Sequence, residues 1–252
     1  MLRGIAHAHS TFSFDGKLEL RTLQNLLTEA QIDFCLMSEH IETLDYEKIS
    51  HMLAAYRALA RDGCMMIPGI EIDDLHILIY GITAVKPYEE ISDLARQMFD
   101  GGALIFVSHP IKVKKPLPPV ILPWLTGVEI WNTRYDGRRV PRARNLQLWK
   151  QLTRECGTLQ PLTGVDFHRA SDLSGIRIEV DCPKEPRAVL DAIAAGRHSL
   201  TLDGRKIEID SPPFTAAVWT GIFDLMVSAN KRLRKSPVRI PGFLRRAGRK
   251  VL

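Results

Sequence analysis

No run in this chain reaches the roughly 20 consecutive apolar residues that cross a bilayer, so no membrane-spanning helix is expected. The amino terminus lacks the charged, apolar and small-residue succession of a secretory leader, because its apolar run breaks at His7. Cysteine is sparse. Cys35, Cys64, Cys156 and Cys182 stand far apart with no C-x-x-C pair, which argues against a disulfide framework or a thiolate metal site. They read as reduced thiols of a cytoplasmic protein. Also missing are a G-x-S-x-G elbow, a C-x5-R phosphate loop and a P-loop lysine motif, so the usual carriers of serine, cysteine and P-loop chemistry are absent. No internal repeat or low-complexity segment precedes the carboxyl-terminal tail, and nothing points to an obligate protein partner.

What is present begins with size. At 252 residues the chain fits one large α/β domain or two small ones and can bury a full core. The net charge of +5 is uneven: from Leu225 to Leu252 there are nine Lys and Arg residues and no Asp or Glu, which leaves a mildly acidic body. Phe214–Val227 is mostly apolar, with Trp219, Ile222, Phe223, Leu225 and Met226 ahead of the basic stretch. The expected division is therefore a body over 1–210 and an apolar helix with a basic tail over 211–252. Packing with a solvated tail competes there with a contact to anionic lipid or nucleic acid.

Through the body, apolar runs alternate with helical patterns. Strands are predicted at Leu2–His7, Asp33–Ser38, Ala103–Ser108, Gly127–Trp131 and Leu159–Asp166, with a strand pair at Met65–Ile72 and His76–Ile82. Helices are predicted at Leu18–Ala30, Tyr46–Arg61, Tyr88–Phe99, Pro141–Glu155 (proline in its first turn) and Pro186–Ala195. Repeated strand–helix units imply a mainly parallel sheet or barrel.

The histidines are placed unevenly. His7 and His9 close the first strand, where positions i and i+2 share a face, and Asp15 follows six residues on, so the three form a nucleus for a divalent cation. His40, His109 and His168 each follow an apolar run, His76 opens one, and Glu71 and Asp166 end two others. In a parallel barrel all strand carboxyl ends meet at one mouth, so these residues would converge. His51 and His198 fall off this pattern, on a helix and in a helix-exit loop, and read as structural or exposed. Glu129 ends a strand as the candidate ligands do but receives no role.

Taken in order, H-A-H-S-T-F-S-F-D-G, S-E-H, P-G-I-E-I-D, H-I-L-I-Y-G, S-H-P and G-V-D-F-H resemble the polymerase and histidinol phosphatase (PHP) domain, from residue 5 to residue 168. Ser38-Glu39-His40 stands where the family usually has a threonine and an acidic residue before its histidine, and some members carry histidine at the position of Asp15. The resemblance implies a distorted (β/α)7 TIM-like barrel with a trinuclear metal centre, followed here by the carboxyl-terminal extension. It implies that His7, His9, Glu71 and Asp166 hold one metal, that Asp15, His40 and His168 hold a second, and that a bridging Glu71 with His76 and His109 holds the third.

Nitrogen and oxygen donors without thiolate suit Zn, Mn or Fe ions. Two or three such cations would activate a water to hydroxide and stabilise the phosphoryl oxygens and the leaving oxygen. The expected activity is therefore metal-dependent hydrolysis of a small phosphomonoester or nucleotide. The alternatives are a stand-alone exonuclease on nucleic-acid ends and a protein-tyrosine phosphatase linked to polysaccharide export. Arg134, with Asn132 and Tyr135 in the same loop, is the best candidate to grip substrate phosphate, and Arg169 beside His168 is a second. Lys112, Lys114 and Lys115 line a proline-rich loop after His109, where solvated surface charge is the competing reading.

Overall fold

The computed structural model describes residues 1–113, 116–137 and 141–209. Lys114, Lys115, the apolar stretch at 214–227 and the basic tail lie outside the described residues. In chain order the strands are β1 (Leu2–Ala8), β2 (Phe34–Met37), β3 (Glu39–His40), β4 (Met65–Ile67), β5 (Gly69–Ile72), β6 (Ile77–Tyr80), β7 (Leu104–Val107), β8 (Leu125–Asn132), β9 (Gln160–Gly164), β10 (Ile176–Val180), β11 (His198–Leu202) and β12 (Arg205–Lys206). The helices are α1 (Leu20–Glu29), α2 (Tyr46–Arg57), α3 (Ile91–Asp100), α4 (Thr133–Asp136), α5 (Ala143–Cys156) and α6 (Pro186–Ala194).

Local chemistry accounts for the helices. In α1, Leu20, Leu23, Gln24 and Leu27 are buried, the i, i+3, i+4, i+7 stripe of a helix laid on a sheet. Asp45 caps α2 by accepting the Lys48 N–H at 2.8 Å, and Ile49, Met52, Leu53 and Tyr56 face inward. Pro186 opens α6, where its missing N–H costs nothing. Pro141 instead precedes the cap residue Arg142, so α5 starts two residues later than its sequence suggests.

The strands form two six-stranded sheets, ordered β12-β11-β10-β1-β2-β4 and β3-β5-β6-β7-β8-β9. The expectation of a mainly parallel sheet needs correction. The pairs β1–β2, β2–β4, β3–β5, β7–β8 and β8–β9 are parallel, but β5–β6, β6–β7 and the whole β1–β10–β11–β12 edge are antiparallel. One cause is local: β5 and β6 are joined only by Asp73–His76, too short for the crossover that a parallel pair requires. His198, expected in a loop, starts β11 and donates from Nε2 to the Pro161 carbonyl at 2.8 Å.

The chain just after β9 returns to β1. Val165 N–H donates to the Ala6 carbonyl at 2.9 Å, Phe167 N–H to the His7 carbonyl at 2.9 Å, and His9 N–H to the Phe167 carbonyl at 2.8 Å. Phe34, Leu36 and Ile67 of one sheet share a buried cluster with Leu78, Tyr80 and Phe106 of the other. Ile5, Cys35 and Met37, which alternate with Ala6, Phe34 and Leu36, pack with the buried leucines of α1 instead. Both faces of β2 are thus apolar, and the polar residues Ser38, Glu39 and His40 follow its end. All four cysteines are free. Among the described residues no helix is long and apolar enough to cross a membrane.

Candidate metal centre

The backbone is irregular at the rim formed by the ends of β1, β5 and β9 with the chain after β7. The β1–β2 register shifts between Ala6 and Ala8, so the pleat bulges at His7 rather than alternating evenly to His9. Six described non-glycine residues have positive φ, and four of them are His7 (63°), His76 (50°), His109 (22°) and Asp166 (53°). Such conformations cost about 1–3 kcal/mol each and persist where surrounding contacts over-determine them. Here they turn side chains off the strand ends toward one another.

Three overlapping groups of donor atoms result, each with its atoms within 4.8 Å of one another: His9, Asp15, His40 and His168; His7, Glu71 and His109; and His7, His9 and Asp166. Glu71 links them. Its Oε2 lies 3.0 Å from His7 Nε2 and 3.5 Å from His9 Nε2, and its Oε1 lies 2.8 Å from His109 Nε2. Asp15 reaches His168 Nε2 at 2.8 Å and His40 Nε2 at 3.5 Å. His76 is the expected ligand that joins none of these groups; its ring stands edge-on to His109 with centroids 5.8 Å apart. A fourth, outward group is His40, Glu42 and Asp73.

A layer of residues without an assigned role lies behind the donors. Glu129, fully buried, accepts from His7 Nδ1–H at 2.8 Å, from the His109 backbone N–H at 2.6 Å and from Asn132 Nδ2 at 3.1 Å. This fixes the orientation of the His7 ring, with Nε2 facing Glu71. A Cβ on Gly164 would collide with the Glu129 carboxylate, so glycine is required there. Glu39, also buried, accepts from Ser10 Oγ and Ser13 Oγ at 2.6 Å each and from Tyr56 OH at 2.9 Å. Because the Ser13 hydroxyl proton goes to Glu39, His9 Nδ1–H donates to Ser13 Oγ at 3.2 Å, and His9 Nε2 is left as a bare acceptor. Asp73 Oδ2 lies 3.2 Å from His40 Nδ1 and orients that ring in the same way. The only sequence sign of this layer was Glu129 at a strand end and Glu39 beside a candidate ligand.

The donor set fits divalent cations. His9 Nε2 and Asp15 Oδ1 are buried atoms without a hydrogen-bond partner, both inside the four-residue group, a situation that proteins otherwise avoid. The electrostatics agree. Burial lowers the affinity of His7 for a proton, but Glu71, Glu129 and Asp166 outweigh it and raise its pKa well above the ordinary value. Burial, together with His7, His168 and His40, pushes His9 well below the ordinary value. Burial would raise Glu71, yet His7 and His109 hold it well below the usual carboxylate range. A cation among these groups would replace the His7 proton and meet the excess carboxylate charge.

The other candidate residues separate clearly. Arg134 Nη1 lies 3.5 Å from Asp166 Oδ1 and 3.1 Å from His168 Nε2, and its side chain is 43% exposed toward the mouth. Asn132 is fully buried and used internally: its Oδ1 caps α4 by accepting the Arg134 and Tyr135 N–H groups, and its Nδ2 donates to Glu129. Asp136 braces this loop, accepting the Asn132 backbone N–H at 2.8 Å and Asn145 Nδ2 at 2.7 Å. Arg169 is exposed and pairs with Asp172 at 3.3 Å. Lys112 Nζ sits 4.1 Å from the Tyr135 ring centroid, and that ring in turn meets His109 edge-on.

No family model matches this sequence, and no curated protein matches it. Among solved structures, a two-domain protein of Bacteroides vulgatus containing a predicted PHP-like metal-dependent phosphoesterase matches with a TM-score of 0.58 and 18% identity over 80% of this chain. This chain spans 64% of that protein. PsfC of Pseudomonas syringae matches with a TM-score of 0.48 and 14% identity, covering 90% of this chain and 100% of PsfC. A protein of Bifidobacterium adolescentis, assigned as a metal-dependent phosphoesterase, matches with a TM-score of 0.44 and 13% identity over 66% of this chain and 88% of its own. At such identities the likeness is one of fold, and it is to a protein containing the PHP-type domain that the ordered sequence motifs resemble.

Proposed function

We propose that this chain is a metal-dependent phosphoesterase that hydrolyses a small phosphomonoester or a nucleotide at the rim centred on Glu71. The observation that carries this reading is the convergence of His7, His9, Asp15, His40, Glu71, His109, Asp166 and His168 into overlapping donor groups from distant parts of the chain. Two or three divalent ions, Mn, Zn or Fe, held by these residues would supply an activated water and neutralise phosphoryl charge. The protein's own part is to position. Glu129, Glu39 and Asp73 fix which ring nitrogen of His7, His9 and His40 faces the centre. Arg134, half in solvent beside Asp166, would grip a phosphoryl oxygen. Tyr135, its pKa pushed up to about 12 by burial and by Asp166, keeps its proton and would act only as a hydrogen-bond donor. The backbone bonds from Val165 and Phe167 to β1, with the cluster shared by both sheets, support closure of the sheets into the distorted barrel.

The test is metal analysis of the purified protein together with turnover of p-nitrophenyl phosphate, a phosphotyrosine peptide and short oligonucleotides in Mn²⁺. Phosphoester turnover that chelator and His9→Ala both abolish is expected, with the monoesters preferred. Turnover that survives both would end the metal reading, and preference for oligonucleotides or for the peptide would move the assignment to nuclease or protein phosphatase.

A further inference from the structure

The mouth of the centre has two unlike sides. On one stand Arg134 and the Lys112–Tyr135 pair, the groups suited to phosphate. On the other, Phe14 is 63% exposed, one of few large apolar side chains left in water among the described residues, and its ring lies 4.8 Å from that of His40. Its exposure is not slack in the chain. The loop is closed by Ser13 N–H to the Ser10 carbonyl at 3.0 Å, Thr11 N–H to the Leu18 carbonyl at 2.9 Å and Lys17 N–H to the His168 carbonyl at 2.9 Å. A Cβ on Gly16 would strike the Ser10 carbonyl, so the loop is packed down to its backbone.

Phe14 is one wall of a cavity of about 270 Å³, bounded also by Thr11, Phe12, Leu44, Lys48 and His51. The Phe12 and His51 rings meet edge to face with centroids 6.0 Å apart. Lys48, paired with Asp45 at 3.4 Å, and His51 give it a polar edge. This cavity falls just below the roughly 300–1,000 Å³ of drug-sized ligand sites, so it suits one flat group rather than a whole ligand. Ring faces and edges favour an aromatic occupant over a saturated one. The polar edge disfavours a long alkyl chain.

We propose that this cavity is a subsite for the flat aromatic ring of the substrate's leaving group, held against Phe14 while the phosphoryl group lies on the Arg134 side. The inference rests on the phosphoesterase reading and adds a specificity to it. It also gives His51, exposed on α2 and idle in the centre, a part in recognition.

The test uses the full chain loaded with Mn²⁺ and two pairs of esters matched in leaving-group acidity: benzyl against cyclohexylmethyl phosphate, and AMP against ribose 5-phosphate. Rates are expressed per bound manganese, because Phe14 touches His40 and could alter loading. Wild type is expected to favour the aromatic member of at least one pair by about tenfold in kcat/KM, the scale of one stacked ring. The pair with the larger ratio identifies the ring as a base or a phenyl group. Phe14→Ala, and Thr11→Trp filling the cavity, are expected to bring that ratio to about one. Wild-type ratios near one in both pairs, or ratios that neither variant changes, would overturn the subsite and leave the phosphoesterase reading standing. If no ester is hydrolysed, that reading fails instead, and the cavity is judged by saturation-transfer NMR with adenosine and phenol. Signals lost in Thr11→Trp would support the subsite, and none with wild type would overturn it.

Discussion

The rim of the strands and the antiparallel pair β10–β11, a hairpin connected through α6, handle buried polarity in opposite ways. In the hairpin the register runs unbroken from Ile176–Leu202 to Val180–His198. His198 is mostly buried with one ordinary bond to Pro161, and burial simply lowers its pKa so that it stays neutral. At the rim the register breaks at His7, whose two nitrogens face Glu129 and Glu71, with Asp166 at 3.8 Å. One region keeps its imidazole neutral, with Nε2 bonded to a backbone carbonyl and Nδ1 buried without a partner. The other collects carboxylates and strained backbone that its own protons cannot balance, which is the physical signature of a place made for a charged ligand.

The comparison breaks most visibly at Glu71. Glu71→Gln removes the one carboxylate shared by His7, His9 and His109, and we expect metal content and Mn²⁺-dependent turnover to fall by about a hundredfold or more. Metal analysis of a variant that still binds normally would reduce the rim to ordinary buried polarity. Next is Glu129→Gln, which replaces no expected ligand but unsettles the His7 ring that Glu129 holds; a loss of about 10–100-fold in metal affinity by competition with a chelator is expected. Saturating Mn²⁺ at about 100 times its Kd should raise Tm by about 5–10 °C, read by calorimetry against chelated protein. A His198→Gln variant should keep that whole increment, because the hairpin takes no part in binding.

How far the molecule could be read from its sequence follows the same division. The rim residues were legible because histidine and carboxylate at successive strand ends are chemically conspicuous, and a parallel run of strands brings such ends together. His76, expected as a ligand, stands apart from the donor groups because a left-handed turn at φ 50° directs its ring to the flank of His109, which spacing alone does not reveal. Glu129, Glu39 and Asp73 escaped because their role depends on pairings 122, 29 and 33 residues away in sequence, with His7, Ser10 and His40 respectively. The β10–β11 hairpin was missed although Ile176, Ile178 and Val180 alternate with period two; the intervening α6 suggested another parallel crossover.

The smallest effect tests the hairpin itself. Because the folded-state pKa of His198 is lowered, its neutral form contributes full stability above the ordinary value of 6.5. That contribution is lost as pH falls below 6.5 toward the folded-state value, since the unfolded chain then takes up the proton first. His198→Gln cannot titrate. It should cost about 1 kcal/mol at pH 8 if its amide bonds Pro161 less well, and the gap to wild type should narrow on acidification. Urea denaturation of both proteins at pH 8 and pH 5, with Mn²⁺ removed, measures it. A gap that widens at low pH would mean that His198 gains a partner as a cation, and the hairpin would then share the charge logic of the rim.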